Sequence, residues 1–366
     1  MPAGSSCETE DRNYTGNGSS DQEMKNTITK NKGTYLLILR SLTDRSITAG
    51  KLGRISIKPG YLAYAGSARG GGGLERRILR HIRTDKKKWW HIDYLRPYSL
   101  LEEIWFCESE RVLEHKIAAV FEKAGIAAER FGSSDCSCRS HLFYLEGNPS
   151  LDKWKESLET AAGSENVWNS VRCDSRLRIV ISRCLDGYNC RYDGKQLNPG
   201  VIRRLHDFAE LVTVCPEREI GLPVPRKPVD IILTDRGRRL IQFETGRDLT
   251  SSITDYSRRF LSSLQDVDGF IMKDRSPSCG IGNARVIGKR VKTGSGFFSS
   301  ISEEIFPGVP AVNIEELHNP AALIEFLSEA LKIRNGTGGK NERMFEFWIK
   351  EKAGLLGKHL LSDNEY

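Results

Sequence analysis

Arg178–Gly194 reads RIVISRCLDGYNCRYDG, and the second half of the chain is organised around it. Ile179-Val180-Ile181 is short, β-branched and apolar, the composition of a buried strand. The run stops at Cys184, and Asp186-Gly187 marks a turn. Cys215 in VTVCPE and Cys279 in RSPSCG sit at the ends of two further strand-like runs. Ligands of a parallel sheet bind in the crevice outside the carboxyl ends of its strands. Cysteines at three such ends are therefore expected to converge on a soft metal centre.

Outward from that stretch, strand-like and helical runs alternate. RIVIS, LVTVC, VDIILTD, DGFIMKD and VPAVNI are separated by NPGVIRRLHDFAE and a helix from Thr250 to Leu264, and RRLIQFET reads as part of a hairpin. AALIEFLSEALKI follows as a last helix. Alternation of this kind predicts an αβα three-layer domain with a mainly parallel sheet over residues 176–333.

At 366 residues the chain is long for one core, so two α/β domains are expected. Residues 1–32 are polar and rich in Gly, Ser and Asn, which predicts disorder. They contain no apolar central segment, so no secretory leader is expected there, and the sequons at Asn13 and Asn17 carry little meaning. No apolar run is long enough to span a bilayer. Nine cysteines without an export signal point to metal or catalytic thiols in a reducing cytoplasm rather than to a disulfide framework.

In residues 33–146, GTYLLILRS, ISIKPG and GYLAYAGSA read as strands of a small antiparallel sheet. SARGGGG is a flexible loop, and LERRILRHIR places Leu74, Ile78 and Ile82 on one helical face. Between Arg69 and Arg96 stand nine Lys/Arg against three acidic residues, and KKKWWHIDYL mixes basic with aromatic side chains. Such a block suits a polyanion, with a solvated helix face as the plain alternative. RVLEHKIAAVF reads as an amphipathic helix carrying Glu114. Asp135, Cys136, Cys138 and His141 have metal-binding chemistry, but CxC plus one His supplies few zinc ligands at an unusual spacing. A structural turn packed beside the site is the expected role. Residues 147–175 read as a linker containing a short helix from Lys153 to Ala162, with Cys173 as a bystander. Residues 334–366 read as a second linker followed by a helix, NERMFEFWIKEKAGLLGKHLL, that docks on one of the domains.

The motifs of residues 33–145 resemble the GIY-YIG nuclease superfamily, in an archaeal-type branch. The first element appears as Gly33-Thr34-Tyr35 and the second as Tyr64-Ala65-Gly66. Gly66-Ser67, Leu74, Arg77 and His81 follow at the family's spacing, and WHIDYL, LEHKIAA and FGSSDCSCRSHLFY complete the pattern. The resemblance implies metal-assisted phosphodiester hydrolysis. Tyr35 and Tyr64 would orient or deprotonate water, Arg77 would stabilise the phosphoryl charge, and Glu114 would hold Mg²⁺. The long gap between Tyr35 and Tyr64 implies an enlarged hairpin, and His91 and Asp93 lie outside the usual nuclease core. A nucleic-acid-binding module without catalysis is the competing reading.

SRCLDGYNCRYDG, VTVCPE, GLPVPRKP and KDRSPSCG, in this order, resemble the thiouracil desulfidase family, which includes relatives acting on 4-thiouridine in RNA. The resemblance implies a [4Fe-4S] cluster held by Cys184, Cys215 and Cys279 with one iron open to the substrate sulfur. Water would then add to the ring carbon with no net redox change. Glu217 is the candidate for activating that water, and Ser276 or Ser278 for bonding the substrate or intermediate. Arg191, Tyr192 and Asp193 shape the pocket or only form a loop. Cys190 is a fourth candidate ligand, and four thiolates would close the cluster. The combined expectation is a cytoplasmic desulfidase of thiolated uracil fused to a nuclease or nucleic-acid-binding domain. The alternatives are a binding protein with a structural or sensory cluster, and a nuclease that the cluster stabilises.

Overall fold

The computed structural model describes residues 27–336 and 342–362. Asn13, Asn17 and Cys7 lie outside them. Strands β1 (Gly33–Ser41), β4 (Gly60–Ala68), β5 (Ser99–Glu108), β6 (Ile126–Ala127), β7 (Leu142–Leu145) and β8 (Asn169–Arg172) form one sheet in the order β6-β7-β4-β1-β5-β8, antiparallel at every pairing. Between β1 and β4, strands β2 (Arg45–Thr48) and β3 (Arg54–Ile57) pair as a separate ribbon, which is the enlarged hairpin expected.

β1 reads as an unbroken apolar run because both faces of its sheet are covered. Leu37 and Leu39 join a core with Leu74, Ile78 and Ile82 of helix α1 (Gly73–Ile82). Leu36 and Ile38 face the other way, against Ile117 and Phe121 of a helix at Glu114–Ala124 and Leu158 of a helix at Leu151–Ala162. A short helix, α2 (His91–Leu95), precedes these two, which are α3 and α4 in chain order.

Two stretches depart from the expectation. Residues 147–175, read as a linker, supply α4 and the edge strand β8, whose Asn169–Arg172 pair with Glu103–Phe106 of β5. Thr27–Lys32, read as the end of a disordered segment, pack on the start of α1. Ile28 is buried there, and the carbonyls of Thr29 and Asn31 accept the N–H groups of Glu75 and Leu74. The first turn of a helix has spare N–H donors, so a passing chain gains hydrogen bonds by ordering on it.

In the second unit β9 (Leu177–Ser182), β10 (Ala209–Val214), β14 (Gly269–Met272) and β17 (Ala311–Asn313) form a wholly parallel sheet in the order β10-β9-β14-β17. One face packs on helices α5 (Gly200–Leu205), α9 (Pro320–Asn335) and α10 (Glu342–Leu361), the other on α7 (Thr250–Ser262) and α8 (Phe297–Ile305). Helix α6 (Pro216–Glu219) is one turn long.

VDIILTD does not enter that sheet. It is β11 (Asp230–Thr234), and with β12 (Gly237–Gln242), β13 (Arg247–Asp248), β15 (Ala284–Ile287) and β16 (Lys292–Gly294) it builds a separate five-stranded sheet. β11 and β12 meet in a hairpin at Thr234–Gly237, and a connection so short permits only antiparallel pairing.

Helix α10 packs against both units. Trp348 donates from Nε1 to the Leu101 carbonyl at 3.0 Å, and Lys352 pairs with Glu102 at 2.9 Å, both in β5. Lys352 also donates to the Cys173 carbonyl. On the other side Gly357 lies so close to α9 that a Cβ there would come 2.9 Å from Ile324 Cγ1.

Candidate functional sites

Each strand of the parallel sheet that carries a cysteine ends at the same place. β9 runs into a turn of 3₁₀ helix holding Cys184, Cys215 caps α6 directly after β10, and Cys279 lies in the loop after β14. These three and Cys190 line one cavity of about 380 Å³, with Glu217, Arg226, Asp274 and Ser276. The Cys279 loop is held from below by Gly296, whose N–H bonds the Gly280 carbonyl, and a Cβ at 296 would lie 2.4 Å from the Ser278 carbonyl oxygen.

The Cys190 thiol lies within hydrogen-bond reach of both Cys184 and Cys215, and the first contact pushes it up to about 11. The contact with Cys190, then burial, raises Cys215 well above the usual thiol range. Burial pushes Cys279 up to about 12, against hydrogen bonds to Ser182 and Ser276 that lower it. Thiols crowded in this way hold their protons until a soft cation replaces them. The donor set therefore fits an iron–sulfur cluster.

Glu217 is buried against the cavity. Arg226 donates to its Oε2 from Nε at 2.8 Å and from Nη2 at 2.6 Å, and Ser278 donates to its Oε1 at 2.8 Å. Ser278 is 1% exposed and does not line the cavity, so its hydroxyl reaches a substrate only through Glu217. Ser276 does line it, and its Oγ also accepts the N–H of Cys279 at 3.0 Å. Arg191 and Asp193 form an ion pair at 2.9 Å beside Tyr192, and Arg183, Arg226 and Arg275 each have a carboxylate of their own. The rim is thus charge-balanced. Cys173 lies in the core under α10, away from this cavity.

A second cavity, of about 350 Å³, brings together Tyr35, Tyr64, Arg77, His81 and Glu114, with His91, Asp135, His141 and Trp90. The Tyr35 hydroxyl lies 2.7 Å from Nε2 of His81. Gly66 makes room for it, since a Cβ there would stand 2.4 Å from the Tyr35 oxygen. Burial raises both Tyr35 and Tyr64 and lowers His81 well below its usual value. Glu114, in the first turn of α3, is raised by burial and further by Asp135. The Arg77 guanidinium stacks on Trp90 at 4.2 Å. His91 accepts the Gly132 N–H at 3.0 Å.

The basic block around this cavity is divided in use. Arg80 and Lys86 pair with the buried Asp93 at 2.7 and 2.9 Å, and Arg96 is buried on backbone carbonyls. Arg76, Arg83, Lys87 and Lys88 remain exposed, beside a Trp89 that is 65% exposed. No helix among the described residues is long and apolar enough to cross a membrane.

Residues 34–163 match the family model described as a domain of unknown function, DUF123. Residues 179–313 match the model described as 2-thiouracil desulfurase. Over 151 residues the chain is 31% identical to an uncharacterized protein of Bacillus subtilis (strain 168), YbbK, covering 38% of this chain and 98% of that one. Among solved structures, the [4Fe-4S]-dependent thiouracil desulfidase TudS is 24% identical with a TM-score of 0.31, covering 39% of this chain and 93% of TudS.

Proposed function

This chain belongs, through residues 179–313, to the 2-thiouracil desulfurase family, and from that premise we propose that its cysteine-lined cavity removes sulfur from a thiolated uracil. The observation that carries the proposal is the convergence of Cys184, Cys215 and Cys279 from three strand ends on one cavity, beside a buried carboxylate. Those three would hold a [4Fe-4S] cluster, which when bound supplies an open iron with affinity for a soft thiocarbonyl sulfur. Cys190, between two of them, is left out of the ligand set.

Glu217 acts as the base. It takes the proton from a water that adds to the ring carbon; the C–S bond then breaks as the carbonyl forms, and the sulfur leaves as sulfide with the water's protons. Arg226 and Ser278 keep the two carboxylate oxygens from turning away. Ser278 is a positioning residue. Ser276, at the cavity wall next to Cys279, is placed to bond the ring. Because the rim's arginines are already paired, recognition rests on the ring more than on phosphate, and free base, nucleotide and 4-thiouridine in RNA are the substrates to compare.

For the first unit we propose a GIY-YIG-like phosphodiester site that holds or cleaves nucleic acid. Tyr35, Tyr64, Arg77, His81 and Glu114 share one cavity, which the half-buried Arg69 and an exposed Trp89 also line. Glu114 and Asp135 offer oxygen donors to Mg²⁺, and a cation would offset the burial, and the smaller repulsion from Asp135, that raise Glu114. Magnesium-dependent cleavage that disappears in Tyr35→Phe and Glu114→Ala supports this site. Cleavage persisting in both variants removes it, and no cleavage by the wild-type protein leaves a binding module.

The desulfidase reading is tested by anaerobic reconstitution followed by loss of thiouracil near-UV absorbance with each of the three substrates. No turnover on any of them would make the cluster structural or sensory.

A further inference from the structure

Beside the nuclease-like cavity, four side chains that no step above uses come together. His115 stands on the first turn of α3, while Cys136, Cys138 and His141 come from the loop before β7. One ligand atom from each lies within 4.8 Å of those of the other three. We propose that His115, Cys136, Cys138 and His141 form a Cys₂His₂ zinc site that fastens the 132–141 loop to α3.

Three observations carry this. The Cys138 sulfur is 3.3 Å from Nδ1 of His115, and the Cys136 sulfur is 3.5 Å from Nε2 of His141. Edges of a tetrahedron around zinc with ordinary Zn–S and Zn–N bonds are roughly 3.3–3.8 Å, so these two pairs already stand at ligand spacing and the widest pair must shorten by about 1 Å at most. The donors are two thiols and two imidazoles, which in a tetrahedral arrangement select zinc over magnesium or calcium. His115 also has an acidic neighbour, since its other ring nitrogen, Nε2, lies 3.6 Å from Oε1 of Glu114, within ion-pair range but too long for a hydrogen bond.

Four protein ligands leave no open position, so the ion is structural. It stabilises the loop that brings Gly132, Ser134, Asp135 and His141 to one wall of the cavity. The His141 carbonyl accepts the Ala65 N–H, which ties the site to β4 beside Tyr64. The inference stands whether or not that cavity cleaves a phosphodiester, because it is read from metal content.

Full-length protein, purified anaerobically from zinc-supplemented cells, is assayed for zinc and iron by mass spectrometry. The wild type and a Cys184→Ser variant should each carry about one zinc per chain, and Cys138→Ser should lose most of it while keeping its iron. Zinc well below one in the wild type, zinc unchanged by Cys138→Ser, or zinc lost only in Cys184→Ser overturns the site. If Cys138→Ser does not fold, a metal-stripped variant with Cys184, Cys190, Cys215 and Cys279 all changed to Ser is titrated with Co²⁺, so that the other thiol cavity cannot contribute. Intense tetrahedral absorption with thiolate charge transfer supports the site. A pale octahedral spectrum, or a Cys136–Cys138 disulfide in the reduced preparation, overturns it.

Discussion

Glu217 is the base of the proposed desulfidase reading, and Arg226 and Ser278 occupy both of its oxygens. Glu217→Gln should lower kcat by roughly 10²–10⁴-fold, the usual contribution of a positioned base, with the cluster's visible absorbance intact. Ser278→Ala removes one hydrogen bond and should lower kcat by about tenfold with little change in KM. An equal effect on KM would give Ser278 direct contact with substrate. Cys190→Ala should leave iron content unchanged. Loss of most of the iron would make it a fourth ligand and close the cluster to substrate. In the first unit, His81 is held neutral by burial, so its folded pKa lies below its unfolded one. Below about pH 6.5 the unfolded chain binds a proton that the folded chain refuses, and stability therefore falls as pH drops through that value. Urea titrations between about pH 5 and 7.5 should show a shallower slope in His81→Gln than in the wild type. An identical slope would mean that folding leaves the proton affinity of His81 unchanged.

Elements were legible in the sequence where periodicity was strong. The β1 run, the face of α1 and the Ile179–Ile181 strand follow from apolar patterning alone, and three of the cavity's cysteines from their places at strand ends. Other elements exist only through their partners. β8 is four residues of mixed polarity, and it is a strand because the edge of β5 is unpaired without it. His115 lies 21 residues before Cys136, inside what reads as an ordinary amphipathic helix, so only folding brings it to the CxC pair. A second histidine at a helix start, upstream of CxC…His, was the available signal. The division of labour between the two serines was likewise out of reach, since Ser278 is the nearer to Cys279 in sequence and yet Ser276 is the one that lines the cavity. Helix α10 carries the prediction at this scale. Lys352→Met leaves the buried Glu102 without its cation, which costs roughly 3–5 kcal/mol in a buried pair. Thermal unfolding should shift down accordingly, and an unchanged midpoint would mean that Ser175, at 2.8 Å, satisfies Glu102 alone.

For the whole molecule, α10 explains why two units with separate sheets share one apolar core. Residues from β1 and β4, from β9, and from α9 and α10 belong to the same buried cluster. The cavity lined by Tyr35, Tyr64 and Arg77 and the cysteine-lined cavity are built on different sheets, each at strand ends or turns that its own unit supplies. On the proposed reading, one unit would hold a polyanion while the other treats a base, and the balanced rim of the second cavity equally admits a free base as substrate. The most direct test is turnover by the anaerobically reconstituted full-length protein on 2-thiouracil, its nucleotide and thiolated tRNA. Loss of the thiocarbonyl absorbance with release of sulfide, abolished by Cys215→Ser, is the predicted result. An intact cluster that leaves all three substrates unchanged would contradict it.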